Sequence, residues 1–248
     1  MILPVACGTS LEMQRSALSL EVFVPDTLWL REYVVRLAAA RFNARMTVIR
    51  LRSGELLLHS PCAFDDSLAA DVASLGRVAA IIAPGNLHWL HVRSCKQAFP
   101  DAATYACPGV EKRAKGLTFD FVLGDDAPAL WADELSHVVL QGTRIMREVA
   151  FFHHATRTLI LVDLVENFTP ATSGTNWFLR TAFRALGMWN RPSPAPEYRF
   201  AWGDKALVRE GLERILAWDF ERVILSHGDI IERDAKQVLA RAWRTVLR

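Results

Sequence analysis

Three observations predict an α/β fold for this chain of 248 residues. Short apolar runs bounded by Gly, Pro or Asp alternate with stretches whose apolar residues recur every three or four positions. One pair of such runs, "MTVIRLRSGELLLHSP", reads as strand, tight turn and strand. Polar residues suited to ligation stand where several apolar runs end, which is where α/β folds gather their sites.

The elements follow in order. Residues 1 to about 18 read as an irregular arm, and "SLEVFVPDTLWLREYVVRL" as an opening hairpin around Pro25. In the next hairpin Thr47, Ile49 and Leu51 alternate with Val48, Arg50 and Arg52, with the turn at Ser53-Gly54 and His59 near a strand end. "DDSLAADVASLG" is a helix with Leu68, Val72 and Leu75 on one face and Gly76 as its stop. "RVAAIIAPG" is a buried strand feeding the loop "NLHWLHV". A helix, the strand "ATYAC" and a turn at Pro108-Gly109 come next, then several strands over 135–168 broken at Gly142 and around Ala155. Residues 169 to 200 lose strand periodicity. They predict a helix over about 175–188, then a proline-rich loop, and are expected to be an insertion flanking a cleft, with Trp177, Phe178, Trp189 or Tyr198 as an apolar wall. A helix, the strand "RVILS", a loop starting at His227 and a basic amphipathic helix with Val238, Leu239, Trp243 and Leu247 on one stripe complete a single domain over 1–248.

Composition narrows the function. Half the residues are apolar and 23% are charged, with a net charge of +2. That balance suits a chain with a substantial core and gives no electrostatic footprint for nucleic acid, a membrane surface or an acidic partner. A small-molecule substrate or ligand is the expected partner. Cys7, Cys62, Cys95 and Cys107 form no CxxC pair, and the start carries no signal-peptide pattern, so a reducing, cytoplasmic setting is expected. Cys62, Cys95 and Cys107 read as small buried hydrophobes, Asp65-Asp66 and Asp125-Asp126 as cap or loop pairs, and His153-His154 as turn residues.

What remains is a set of strand-end residues. His88 and His91 follow "VAAII", Asp163 follows "RTLILV" and His227 follows "RVILS". Imidazole nitrogen and carboxylate oxygen together suit zinc, iron or manganese. The residues alone leave open a metal site or a hydrogen-bonded network.

The segments "MTVIRLRSGELLLHSP", "APGNLHWLH", "FPDAATYACPG" and "REVAFFHHATRTLILVDLVEN" resemble the DUF4336 family, a branch of the metallo-β-lactamase superfamily. The resemblance spans about residues 20–232. It implies an αβ/βα sandwich of two facing sheets with outer helices, and a metal loop of the form HxHxDH. Asn86, His88, Leu90 and His91 fall on that loop's four positions, Asp163 on the bridging aspartate and His227 on the closing histidine. No histidine stands near Gly142-Thr143, where one more is implied; Glu148 and His137 are the substitutes within reach. One ligand set is thus broken, while His91, Asp163 and His227 survive from the other. The expectation is one divalent transition metal, zinc foremost, with His88 and Asn86 beside it. Asp229, Glu166 and Asn167 are expected to support or line the pocket. The resemblance implies a metal-dependent hydrolase of unstated substrate. Leu90, standing where an aspartate would orient water, favours the alternative of a catalytically inactive binding or sensing protein.

Overall fold

The computed structural model describes residues 20–200 and 202–248; the N-terminal arm lies outside them. Strands β1 (Glu21–Val24), β2 (Leu28–Leu37), β3 (Ala40–Arg50), β4 (Leu56–His59), β5 (Val78–Ala83), β6 (Ala103–Ala106) and β7 (Phe121–Val122) form one sheet in that order. Its first half is an antiparallel meander and its second half, from β4 on, is parallel. The parallel strand β5 is buried along its whole length, which explains why its sequence is a continuous apolar run rather than an alternation. Strands β8 (Leu135–Val139), β9 (Val149–His153), β10 (Thr158–Leu161) and β11 (Arg222–Leu225) form the second sheet, with β10 and β11 parallel.

Period-two alternation in the second sheet decides how the layers stack. Val149, Phe151, Ile160 and Ile224 point into a core shared with the first sheet. Their neighbours Ala150, Phe152, Leu159, Leu161, Val223 and Leu225 point the other way, into a second core closed by helices. Those helices are α6 (Lys205–Ala217), through Val208, Leu212 and Ile215, and α7 (Ala235–Ala242) with α8 (Arg244–Leu247), through Leu239 and Val246. Fully burying each such side chain contributes roughly 1.5–3 kcal/mol. The fully buried Trp243 joins them and donates its indole N–H to the Leu164 carbonyl at 3.1 Å.

On the first sheet's outer side lie α1 (Asp66–Leu75), capped by Asp65 accepting from the Leu68 N–H at 2.8 Å, and α2 (Val92–Ala98). A short α3 (Val110–Arg113) follows β6. The result is helix, sheet, sheet, helix. Cys62, Cys95 and Cys107 are free and buried, as their composition predicts.

The segment 169–200 contains α4 (Trp177–Ala185) and α5 (Pro196–Phe200). It docks on the start of β3 through a small core of Phe168, Leu179, Phe183 and Met188, against which Phe42 packs. The longest hairpin is β2–β3, paired from Leu28↔Ile49 to Leu37↔Ala40. Its turn begins at Ala38 with φ 50°, a left-handed conformation with no glycine to mark it in the sequence.

Candidate metal centre

Three strand-end loops meet at one end of the sandwich. His88, Asp163 and His227 are all buried, and one ligand atom from each lies within 4.8 Å of the others. The His88 Nε2 stands 3.3 Å from Asp163 Oδ2, and the His227 Nε2 stands 3.2 Å from Asp163 Oδ1.

Each member is held from behind. His88 Nδ1 is 2.7 Å from the Ser60 hydroxyl. Ser60 ends β4 in a left-handed conformation, φ 56°, and its N–H is fixed by the Ile82 carbonyl on β5. Such strain in a non-glycine residue persists only where surrounding structure enforces it, and here it aims a hydroxyl at the imidazole. His227 Nδ1 faces the Asn43 carbonyl at 3.3 Å, and Phe42 meets its ring edge-on. The His227 loop is clamped by Arg45, whose guanidinium donates to the carbonyls of Leu225 and Gly228 and pairs with Glu32 at 2.5 Å. Gly228 has φ 84°, and a Cβ there would lie 2.2 Å from the Asn167 carbonyl oxygen, so only glycine fits beside this histidine.

Asp163 is positioned by Glu148. That fully buried carboxylate accepts the N–H groups of Val162 at 2.7 Å, Asp163 at 2.8 Å and Leu164 at 2.7 Å. Glu148 is therefore a backbone clamp under the strand end, not a substitute for the missing histidine. His137 is spent elsewhere, its Nε2 bonded to the Gly124 carbonyl at 2.7 Å.

Burial would raise the Asp163 carboxyl, but the imidazoles of His88 and His227 beside it hold it below the ordinary carboxylate range. Burial would lower His227, yet its hydrogen bond to Asp163 and that group's charge raise it instead. Glu148 is pushed up to about 8 by burial and by the charge of Asp163, against its backbone donors. Glu166 is also pushed up to about 8, chiefly by burial, and its Oε2 has no hydrogen-bond partner among the described residues.

The geometry separates two readings of the group. Charge-assisted hydrogen bonds between imidazolium and carboxylate are typically ~2.7–2.9 Å. Ligand atoms ~2.0–2.1 Å from a tetrahedral zinc stand ~3.3–3.4 Å apart. The observed 3.2 and 3.3 Å are longer than the first spacing, and they run to different oxygens of the carboxylate, Oδ1 for His227 and Oδ2 for His88. Among the described residues Asp163 Oδ2 is buried without a hydrogen-bond partner, and both outward nitrogens are engaged by oxygen, the usual backing of metal-ligating histidines. The donor set therefore fits a divalent metal.

The expected ligand His91 is not in this group. It caps α2, and its half-buried ring sits edge-on to Tyr33 with centroids 5.5 Å apart. His88 takes the place assigned to it because the loop turns at Gly85 and Trp89 anchors its indole N–H on the Asn86 carbonyl, 2.8 Å away. Asn86 is a loop fastener: its amide donates to the Ile145 carbonyl and its backbone N–H to the Arg147 carbonyl. Asp229 does not orient His227; its carboxylate accepts from the Thr169 hydroxyl. Asn167 holds the His227 loop through a backbone bond to the His227 carbonyl at 3.3 Å.

Above the group opens a cleft of ≈ 150 Å³ with His88, His91 and His227 on its lining. Its walls are Tyr33, Val35, Leu37, Phe42 and Ala44 of the β2–β3 hairpin, with Leu87 and Leu90 opposite. The segment 169–200 supplies none of the lining. Of the aromatics expected there, Tyr198 is buried in the second core, while Trp177 stands 75% exposed. The apolar wall exists, but it belongs to the hairpin, whose reach an Ala-Ala turn conceals in the sequence.

Solved metallo-β-lactamases share this architecture. One from Pontibacter korlensis aligns over 92% of this chain and 99% of its own with a TM-score of 0.62 at 10% identity. One from Hirschia baltica aligns over 90% and 97% with a TM-score of 0.61 at 14% identity. The metallo-β-lactamase FIM-1 from Pseudomonas aeruginosa, in its mono-zinc form, aligns over 91% and 95% with a TM-score of 0.60 at 12% identity. No curated protein matches the chain in sequence. The fold is that of the metallo-β-lactamases. Residues 25–175 match the DUF4336 model, a domain of unknown function, and the chain belongs to that family. Among the described residues no helix is long and apolar enough to cross a membrane.

Proposed function

We propose that this protein is a hydrolase dependent on one divalent metal, zinc foremost, held by His88, Asp163 and His227, and acting on a small molecule with an apolar portion. The convergence of His88, Asp163 and His227, with one ligand atom from each within 4.8 Å of the others, carries the reading. Held by His88, Asp163 and His227, a zinc ion would supply Lewis acidity towards a carbonyl and lower the pKa of water towards neutrality. Ser60 and the Asn43 carbonyl keep both imidazoles aimed, Glu148 fixes the Asp163 backbone, and the hairpin wall excludes water while seating an apolar group. Leu90, 59% exposed on the rim, offers no carboxylate to orient water, which favours a second reading as a binding protein that retains the metal.

The test is hydrolysis of a panel of aryl esters, thioesters and lactones by protein stripped with chelator and then reloaded with zinc, iron or manganese. Turnover that returns with metal and is lost in Asp163→Asn supports the hydrolase. Stoichiometric metal binding without turnover of any substrate supports the binding protein.

A further inference from the structure

A second concavity lies between the loop after α4 and the C-terminal helices. It encloses ≈ 100 Å³ and shares no residue with the cleft. Four arginines line it: Arg191 from the loop, Arg199 from α5, Arg241 from α7 and Arg244 from α8. Ser193 and Thr245 complete its polar lining. No carboxylate lines it, and among the described residues none of the four arginines is in an ion pair.

We propose that this concavity is a binding site for a phosphate group. All four arginines are exposed around the concavity, and like charges gathered there without a counter-charge in the lining create a positive potential that an anion relieves. Guanidinium groups present planar pairs of N–H donors matched to phosphate oxygens. Arg199 is already pinned, donating to the Leu186 carbonyl at 2.8 Å, while Arg191, Arg241 and Arg244 make no side-chain hydrogen bond among the described residues and keep their donors free. The volume is well below the ~300 Å³ at which pockets begin to take whole drug-sized ligands, so it suits one phosphoryl group with the rest of the ligand outside. The loop carrying Arg191 and Ser193 is also bonded to the Asp163 segment: Glu166 and Ser193 exchange backbone hydrogen bonds at 2.8 and 3.0 Å, and the Ala195 N–H reaches the Asp163 carbonyl at 3.1 Å. A phosphate-bearing ligand held here would sit one loop away from the candidate metal centre.

The experiment uses the full chain and two phosphate sources. Calorimetric titration with inorganic phosphate and with pyrophosphate, against sodium chloride of equal ionic strength, reads the free anion. Flotation with phosphatidylcholine vesicles containing phosphatidic acid reads a lipid headgroup. Binding of either source, weakened roughly tenfold or more for each arginine removed in Arg191→Ser and in Arg241→Ser/Arg244→Ser, supports the site and names its source. Circular dichroism confirms that the variants are folded, and the single substitution stands if the double one is not. Binding that is equal in wild type and folded variants, or no binding of either source beyond the chloride control, overturns the proposal.

Discussion

Replacing His88 or His91 by alanine gives opposite outcomes according to which imidazole holds the metal. The HxHxDH-like spacing assigns His91, whereas the geometry assigns His88. Of these two imidazoles His88 is the one grouped with Asp163 and His227, its Nε2 3.3 Å from Asp163 Oδ2. Deleting one of three protein ligands leaves two, too few to hold an ion against water. Loss of an outer partner alone typically costs 10–100-fold in affinity. His88→Ala, Asp163→Ala and His227→Ala are therefore each expected to weaken zinc at least ~100-fold, and Ser60→Ala, which frees His88 Nδ1, by ~10–100-fold. His91→Ala should change affinity by less than about threefold. The pH dependence has a definite sign. His227 is raised above its ordinary value by Asp163, so below that raised value the metal must displace a proton, and affinity should fall about tenfold per pH unit. Competition against a chromophoric chelator between pH 5.5 and 8 measures both quantities. Loss of zinc in His91→Ala equal to that in His88→Ala would refute the assignment.

Other substitutions test the scaffold. Gly228→Ala forces a side chain into a left-handed backbone and against the Asn167 carbonyl, and should destabilise the protein by at least ~2 kcal/mol in urea unfolding. Arg45→Ala strips the Leu225 and Gly228 carbonyls of their donor and should cost about 3 kcal/mol by the same measure. His59 is fully buried with both ring nitrogens unpartnered among the described residues, and burial pushes it down to about 3. Its contribution to stability is thus complete above the unfolded value of 6.5 and is lost as pH falls from there towards about 3. Between pH 6 and 4 the wild type should lose about 2–3 kcal/mol more than His59→Leu, and equal losses would show that His59 is not the acid-sensitive group.

Much of this architecture is legible in the sequence because its elements are locally consistent. The β5 run, the α1 period and the "RVILS" strand each carry their own pattern, and the Asp65 cap announces its helix. Asp163 and His227 are legible because strand ends converge in such folds. Which histidine of "NLHWLH" turns inward is not legible, because it depends on the left-handed Ser60 on another strand and on the indole of Trp89 closing the loop. The role of Glu148 is hidden for a related reason. A carboxylate bonded to backbone N–H groups leaves no side-chain partner to notice in sequence. The hairpin wall is concealed by a turn at Ala38 that lacks any turn-forming residue.

The ligand group is divided between the two sheets: His88 leaves β5 of the first, while Asp163 and His227 leave β10 and β11 of the second. An ion shared by these three residues would tether the two halves of the sandwich, as a covalent cross-link would, yet reversibly. Thermodynamic linkage then makes its effect directional. At 100 times its dissociation constant the ion adds ~2.7 kcal/mol to any opening that parts the sheets, and nothing to fraying within either one. Metal supply would thereby set the rigidity of the sheet–sheet seam, and amide hydrogen exchange along β5 and β10 would register it even in the absence of any turnover.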